Sequence, residues 1–196
     1  WGYKTPELVA EVVASVANLA PPGDLWDIGC GTGLLGRALL AQGMIAAGST
    51  QRRMIGMDIS AAMADEISAT CYYDEVLVQD CQDPWAGTTA KSAGLICAAG
   101  SLGYIEEFPK LYDQMARILK PGGFFVFSIS SSMWEEDHRR CRSQLSRNAF
   151  REFCSRVEKV PYLPQHPDSE KRDLRMDIRV WQRTDPMYER GLLKSK

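Results

Sequence analysis

The chain has 196 residues, enough for one domain with a sizeable core. At 45% hydrophobic and 24% charged it matches a soluble globular protein, and it lacks the apolar run of ~18 residues that a membrane span needs. A net charge of −2 argues against a general nucleic-acid binder, although residues 131–196 hold 15 Lys/Arg against 11 Asp/Glu and residues 1–130 hold 8 against 14. Thr5-Pro6-Glu7 predicts a helix start, with Thr5 as N-cap and Pro6 at the first helical position. Leu8, Val9, Val12, Val13, Val16 and Leu19 form its apolar face, and Pro21-Pro22-Gly23 ends it. A strand is expected at 24–28, then a helix over 33–41 with Gly43 as its stop. Residues 44–51 read as a polar loop. Strands follow at 52–57 and 75–78 with a helix over 61–69 between them, and Asp83-Pro84-Trp85 marks a turn. Gly94-Leu95-Ile96-Cys97-Ala98 is a continuous apolar run, the pattern of a fully buried strand. A helix over 106–119 presents Leu111, Met115, Ile118 and Leu119 on one face, and Pro121-Gly122-Gly123 turns into a strand over 124–129. Strand and helix thus alternate through residue 130, as in a parallel sheet covered on both faces. Beyond it the pattern predicts a polar helix from Met133 to about Phe153, a strand over 157–162, a proline-marked loop, and a period-two strand from Leu174 to Trp181. Two late strands joined by a turn predict an antiparallel edge.

None of the six cysteines, Cys30, Cys71, Cys81, Cys97, Cys141 and Cys154, forms a Cys-x-x-Cys pair, and none lies at zinc spacing to a histidine. A reduced, cytoplasmic setting is therefore expected. His138 and His166 have no evident metal partner, so no metal site is expected. The chain opens on Trp1 rather than Met and leaves room for sequence upstream.

The densest chemical signal is Asp27-Ile28-Gly29-Cys30-Gly31-Thr32-Gly33, a strand that ends in an acid and three alternate glycines before a helix. Glycine admits positive φ and lets a ligand approach without a Cβ in the way. Gly31-Thr32-Gly33-Leu34-Leu35-Gly36 also fits the dinucleotide fingerprint, with Asp58 closing the next strand. That fingerprint seats a pyrophosphate on a helix N-terminus, and the carboxylate of Asp27 just before the first glycine is ill-suited to such an anion. An acid there suits a ligand that carries a cation.

In order along the chain, Asp27–Gly33, Gly56-Met57-Asp58-Ile59-Ser60, Gln79-Asp80-Cys81 and Leu119-Lys120-Pro121-Gly122-Gly123-Phe124 resemble the signatures of class I S-adenosylmethionine (SAM)-dependent methyltransferases. The resemblance covers about residues 24–130. It implies a Rossmann-like, doubly wound α/β sheet of seven mostly parallel strands with an antiparallel C-terminal edge. It implies one methyltransferase domain over 1–196, with a SAM-binding core at 24–130, an N-terminal helix and lid at 1–20, and a C-terminal helix and edge strands at 131–196. By resemblance, Gly29, Cys30, Gly31 and Gly33 contact the cofactor, and Asp27 faces its ammonium directly, acts through water, or holds the backbone of the glycine loop. Asp58, followed by Ile59, holds the ribose hydroxyls. Asp80 with the backbone of Cys81 takes the adenine amino group, Met63 packs either on the adenine or in the core, and the backbone near Ala98 runs along the methionine part. The fourth strand departs from the family pattern, because Ser92-Ala93-Gly94 supplies no acid at its start.

Trp1-Gly2-Tyr3-Lys4-Thr5-Pro6-Glu7 and Val160-Pro161-Tyr162-Leu163-Pro164 resemble the ends of the small methyltransferases like the Williams–Beuren region protein 27. Trp1 and Tyr3 would then help cover the cofactor. Tyr104, Ser128, Ser130 and Trp134 are acceptor-side candidates by their position after strands. The expected activity is methyl transfer to a small-molecule acceptor, with no nucleic-acid or membrane partner. A SAM-binding scaffold without transfer activity is the alternative. No catalytic base and no oligomeric state can be read from the residues.

Overall fold

The computed structural model describes residues 1–44, 52–147 and 149–184, leaving aside the side chains of 136–141, 144 and 155–159. The elements are α1 (Thr5–Ala17), β1 (Asp24–Ile28), α2 (Leu34–Ala41), β2 (Met54–Asp58), α3 (Ala61–Ser68), β3 (Glu75–Val78), β4 (Ala93–Ala98), α4 (Phe108–Ile118), β5 (Leu119–Ser130), α5 (Ser131–Arg147), β6 (Phe150–Pro161), α6 (Ser169–Asp173) and β7 (Arg175–Arg183). The sheet order is β3-β2-β1-β4-β5-β7-β6. The first five strands pair in parallel, and β7 joins β5 and β6 antiparallel. This is the doubly wound α/β sheet with an antiparallel edge that the alternation of elements implies.

Both faces of the sheet are buried, and alternate strand residues serve opposite faces. Leu25, Met54, Leu95, Cys97, Phe124 and Val126 pack with Val9, Val13 and Leu39 of α1 and α2. Trp26, Ile28, Ile55, Ile96, Phe125 and Phe127 pack with Leu111, Met115 and Ile118 of α4 on the other side. Arg52 ties α1 to the sheet by donating to the carbonyls of Ala17, Ala20, Pro21 and Gly23 at 2.9–3.1 Å. It thereby satisfies acceptors left over where the helix ends.

The structure corrects three expectations. Thr5 lies inside α1 and is fully buried, while Lys4 holds the cap position without a side-chain cap bond. The polar helix ends at Arg147, and residues 150–153 belong to a strand that runs from 150 to 161. Pairing with β7 and the packing of Phe153 on Phe124, ring centroids 5.0 Å apart, outweigh the helical pattern of that stretch. The turn Lys120–Gly123 is an irregularity within β5, between the pairs Ala93↔Leu119 and Leu95↔Phe124. The loop at 45–51 and the side chain of His138 lie outside the described residues.

A buried ionic cluster fixes α5 to the antiparallel edge. Arg179 of β7 donates to Asp177 at 2.7 Å and to Glu152 at 3.1 Å. Its guanidinium lies 3.7 Å from the centre of the Trp134 ring, and Ser131 donates to Asp177 at 2.8 Å. Removing one partner of such a buried pair leaves the other uncompensated, so the cluster holds the edge as a unit.

Candidate functional site

The strand β1 runs directly into a glycine loop. Gly29, Gly31 and Gly33 have φ of 70°, 51° and 78°, the left-handed region that side chains disfavour. A Cβ on Gly29 would lie 2.4 Å from the Cβ of Ser101, so packing also demands glycine there. A Cβ on Gly31 would meet nothing within 4 Å among the described residues, so the backbone at Gly31 faces open space there. The backbone N–H groups of Gly29 and Cys30 donate to the Met57 carbonyl at 2.8 and 3.0 Å. Asp58, at the end of β2, completes the anchoring. Its Oδ2 accepts the Gly31 N–H at 2.8 Å and its Oδ1 accepts the Ser60 N–H at 2.9 Å.

Two cavities of about 230 Å³ each meet at Gly29, at the carboxyl ends of the parallel strands. The first is walled by Asp58, Ile59, Asp80, Cys81, Ser101 and Tyr104. Ile59 and Tyr104 are well exposed there. Asp80 Oδ1 accepts the backbone N–H of Gln82 at 2.8 Å, which fixes its carboxyl beside the cavity. Burial, then Asp80, pushes the Cys81 thiol up to about 12.

The second cavity is walled by Tyr3, Asp27, Cys30, Gly31, Met63 and Ala99. Asp27 is 1% exposed. The Tyr73 hydroxyl donates to its Oδ2 at 2.7 Å, and its Oδ1 is a buried acceptor without a partner among the described residues. Burial pushes this carboxyl up to about 7, the Tyr73 hydrogen bond opposes the rise, and the charge of Asp58 adds to it. Burial likewise raises the Cys30 thiol and the Tyr3 hydroxyl, so both stay protonated at neutral pH.

The first three residues clasp the segment after β6. The Trp1 and His166 rings meet edge-on with centroids 4.5 Å apart, and Tyr3 and Tyr162 do so at 5.1 Å. The Gln165 N–H donates to the Trp1 carbonyl at 3.2 Å. A Cβ on Gly2, whose φ is 72°, would lie 3.0 Å from Pro164. Two stretches singled out at opposite ends of the sequence are thus in contact.

The structure therefore gathers Asp58, Ile59, Asp80 and Cys81 at one cavity and Tyr3, Asp27, Cys30, Gly31 and Met63 at the other, with Gly29 common to both. Met63 thus shares a wall with Tyr3 rather than with Asp80. Gly33 is the left-handed cap of α2 and contributes to the turn rather than to a cavity wall. Ala98 is fully buried in β4, and its neighbour Ala99 reaches the cavity. Trp1 walls neither cavity and is 69% exposed. Three acceptor-side candidates are occupied elsewhere. Ser128 accepts the Gly100 N–H at 2.8 Å, Ser130 accepts the Met133 N–H at 3.1 Å at the start of α5, and Trp134 lies under Arg179. Tyr104 stays at the first cavity.

Sequence reasoning missed Ser101 and Tyr73. Ser101 donates to the Ile28 carbonyl at 2.6 Å and fills the space beneath Gly29. Tyr73 occupies a slot that two glycines leave open. A Cβ on Gly36 would lie 2.7 Å from its ring, and one on Gly56 would lie 3.0 Å from it. The third glycine of the fingerprint was therefore the available signal, once its neighbour is known.

A family model described as a methyltransferase domain matches residues 1–165. The geranyl diphosphate C-methyltransferase from Streptomyces coelicolor is a structural neighbour, with a TM-score of 0.66 and 17% identity over 89% of this chain and 78% of that one. The TehB-like SAM-dependent methyltransferase from Corynebacterium glutamicum aligns with a TM-score of 0.62 and 19% identity over 94% of this chain and 89% of that one. The YcgJ protein from Bacillus subtilis aligns with a TM-score of 0.63 and 13% identity over 91% and 99%. At these identities the likeness is one of fold. No curated protein matches the sequence. The match over residues 1–165 and the glycine loop at the switch point of the sheet agree, and the chain belongs to the methyltransferase domain family of SAM-dependent enzymes.

Proposed function

We propose that this chain, as a single domain, moves a methyl group from SAM to a small-molecule acceptor, and that it stands with the small methyltransferases like the Williams–Beuren region protein 27. The observation that carries the reading is the carboxylate of Asp58 at the rim of the first cavity with Asp80 in the same wall. Each Asp58 oxygen spends one acceptor site on a backbone N–H and keeps another, which suits a pair of ribose hydroxyls. The Asp80 carboxylate suits an exocyclic amine, the Cys81 backbone N–H suits a neighbouring ring nitrogen, and Ile59 offers an apolar flank to an adenine ring. The unpartnered Oδ1 of Asp27 suits a cationic amino-acid end, and the open face at Gly31 leaves room for it.

SAM supplies a methyl group already activated on a sulfonium. The chain's own contribution is to hold two molecules in line and exclude water. Tyr3, clasped on Tyr162, walls the second cavity and Tyr104 the first, and each offers an aromatic face against which a bound ligand displaces water. Support for a small acceptor comes from the neighbour whose name gives geranyl diphosphate as its substrate. A cytoplasmic setting fits the free cysteines Cys30, Cys71, Cys81, Cys97 and Cys154, and no helix among the described residues is long and apolar enough to cross a membrane.

Calorimetry with SAM and with NAD, followed by detection of S-adenosylhomocysteine after incubation with pools of small metabolites, tests the reading. SAM binding, no NAD binding and acceptor-dependent S-adenosylhomocysteine are expected. Binding without product across broad acceptor pools points instead to a scaffold that senses SAM.

A further inference from the structure

Tyr73 lies just before β3, outside every cofactor signature in the sequence, yet its side chain crosses the sheet to the glycine loop. Its ring occupies the slot between Gly36 of α2 and Gly56 of β2, where side chains would collide with it. That slot aims the hydroxyl at Asp27 Oδ2, 2.7 Å away. The other oxygen, Oδ1, is buried, has no partner among the described residues, and belongs to a residue that walls the second cavity. A buried acceptor left open is costly unless a ligand completes it.

We propose that Tyr73 is a positioning residue for the cofactor site: it clamps one carboxylate oxygen of Asp27 so that the other is held, charged, for the cationic amino-acid end of the cofactor. The inference rests on reading the cleft as the SAM site. A tyrosine hydroxyl donating to the carboxylate favours its ionised form and opposes the burial that disfavours it. The titratable groups facing Asp27 are Tyr73 itself, Asp58 at the end of β2, Cys30 in the loop and Cys97 of β4. Burial raises both thiols and the tyrosine well above neutrality, so Asp27 is the group that the clamp tunes near pH 7.

The test is the SAM dissociation constant of the wild-type protein and of Tyr73→Phe from pH 6 to 9, by calorimetry. The phenylalanine keeps the ring in its slot and removes only the donor. If the Asp27 midpoint moves up by about one unit from about 7, the ionised fraction at pH 7 falls from about a half to about a tenth. Affinity at pH 7 then falls about fivefold and recovers by pH 9. The ligand's own α-amine titrates identically against both proteins and cancels in their ratio. In an Asp27→Asn background, Tyr73→Phe is expected to change affinity less than about twofold. A carbon-13 titration of the Asp27 carboxyl in the cofactor-free protein, with the same upward move in Tyr73→Phe, reads the clamp without any cofactor. A loss of affinity that is equal at all pH values, or one that persists in the Asp27→Asn background, overturns the proposal. A wild-type protein that does not bind SAM overturns the reading of the cleft instead, while the carbon-13 titration still judges the clamp.

Discussion

The carboxylate of Asp58 and the backbone N–H of Gly31, 27 residues apart in the chain, meet at 2.8 Å. One acid thus shapes the glycine loop and walls the cavity beside it. It links the two halves of the cleft, because the same loop backs onto the second cavity at Gly31.

Asp58→Ala is expected to weaken SAM binding at least tenfold, about 1.4 kcal/mol, in line with loss of hydrogen bonds to a charged group. It also frees the Gly31 and Ser60 N–H groups, so the melting temperature should fall. Calorimetry and a thermal melt on the same sample check both, and unchanged affinity would place the ribose elsewhere.

Gly36→Ala is expected to destabilise the protein by roughly 1–3 kcal/mol, because its Cβ would lie 2.7 Å from the Tyr73 ring. With Tyr73→Ala already present, the same change should become stabilising by up to about 1 kcal/mol, the ordinary gain of alanine over glycine in a helix. Urea denaturation of the four proteins closes the cycle, and additive effects would show that the ring does not occupy the slot.

Tyr3 walls the second cavity, whereas Trp1 walls neither. Tyr3→Ala should therefore weaken SAM binding about fivefold, the scale of one aromatic contact of about 1 kcal/mol. Trp1→Ala should change it less than about twofold. Equal losses would mean that the clasp acts as a unit on the cofactor.

Asp27 gives a pH dependence of stability whose sign follows from its raised folded value, about 7 against 3.8. Below about pH 4 the carboxyl is protonated in both the folded and unfolded states and carries no penalty. From about pH 4 to about 7 the unfolded chain releases the proton and the folded protein does not, so stability falls as pH rises. Above about 7 the penalty is constant. The melting temperature of Asp27→Asn minus that of the wild type should grow across that window and then level off. A difference that is flat with pH would contradict the burial of the charge.

Arg179→Ala should cost about 3–5 kcal/mol, because it strands the buried carboxylate of Asp177 and removes the cation over Trp134. A denaturation curve shows it. A loss below about 1 kcal/mol would mean that the cluster is solvated.

The sequence by itself determined the strand-loop-helix from Asp24 to Ala41, the acids Asp58 and Asp80 at strand ends, and the alternation that makes a doubly wound sheet. These features are local: positive φ selects glycine, and burial on both faces selects unbroken apolar runs. The late strand β6 was legible only in part, since its pairing with β7 across the intervening loop overrides the helical pattern of residues 150–153. The hydrogen bonds that Ser128 and Ser130 accept were illegible for a similar reason, because they form only once β5 lies beside Gly100 and leads into α5. Tertiary structure alone decided the setting of Asp27. Its partner Tyr73 is 46 residues away, and the slot that aims it is made by Gly36 and Gly56 from two further elements. Local preference shapes a turn, but the charge of a buried acid depends on every group that folding brings to it.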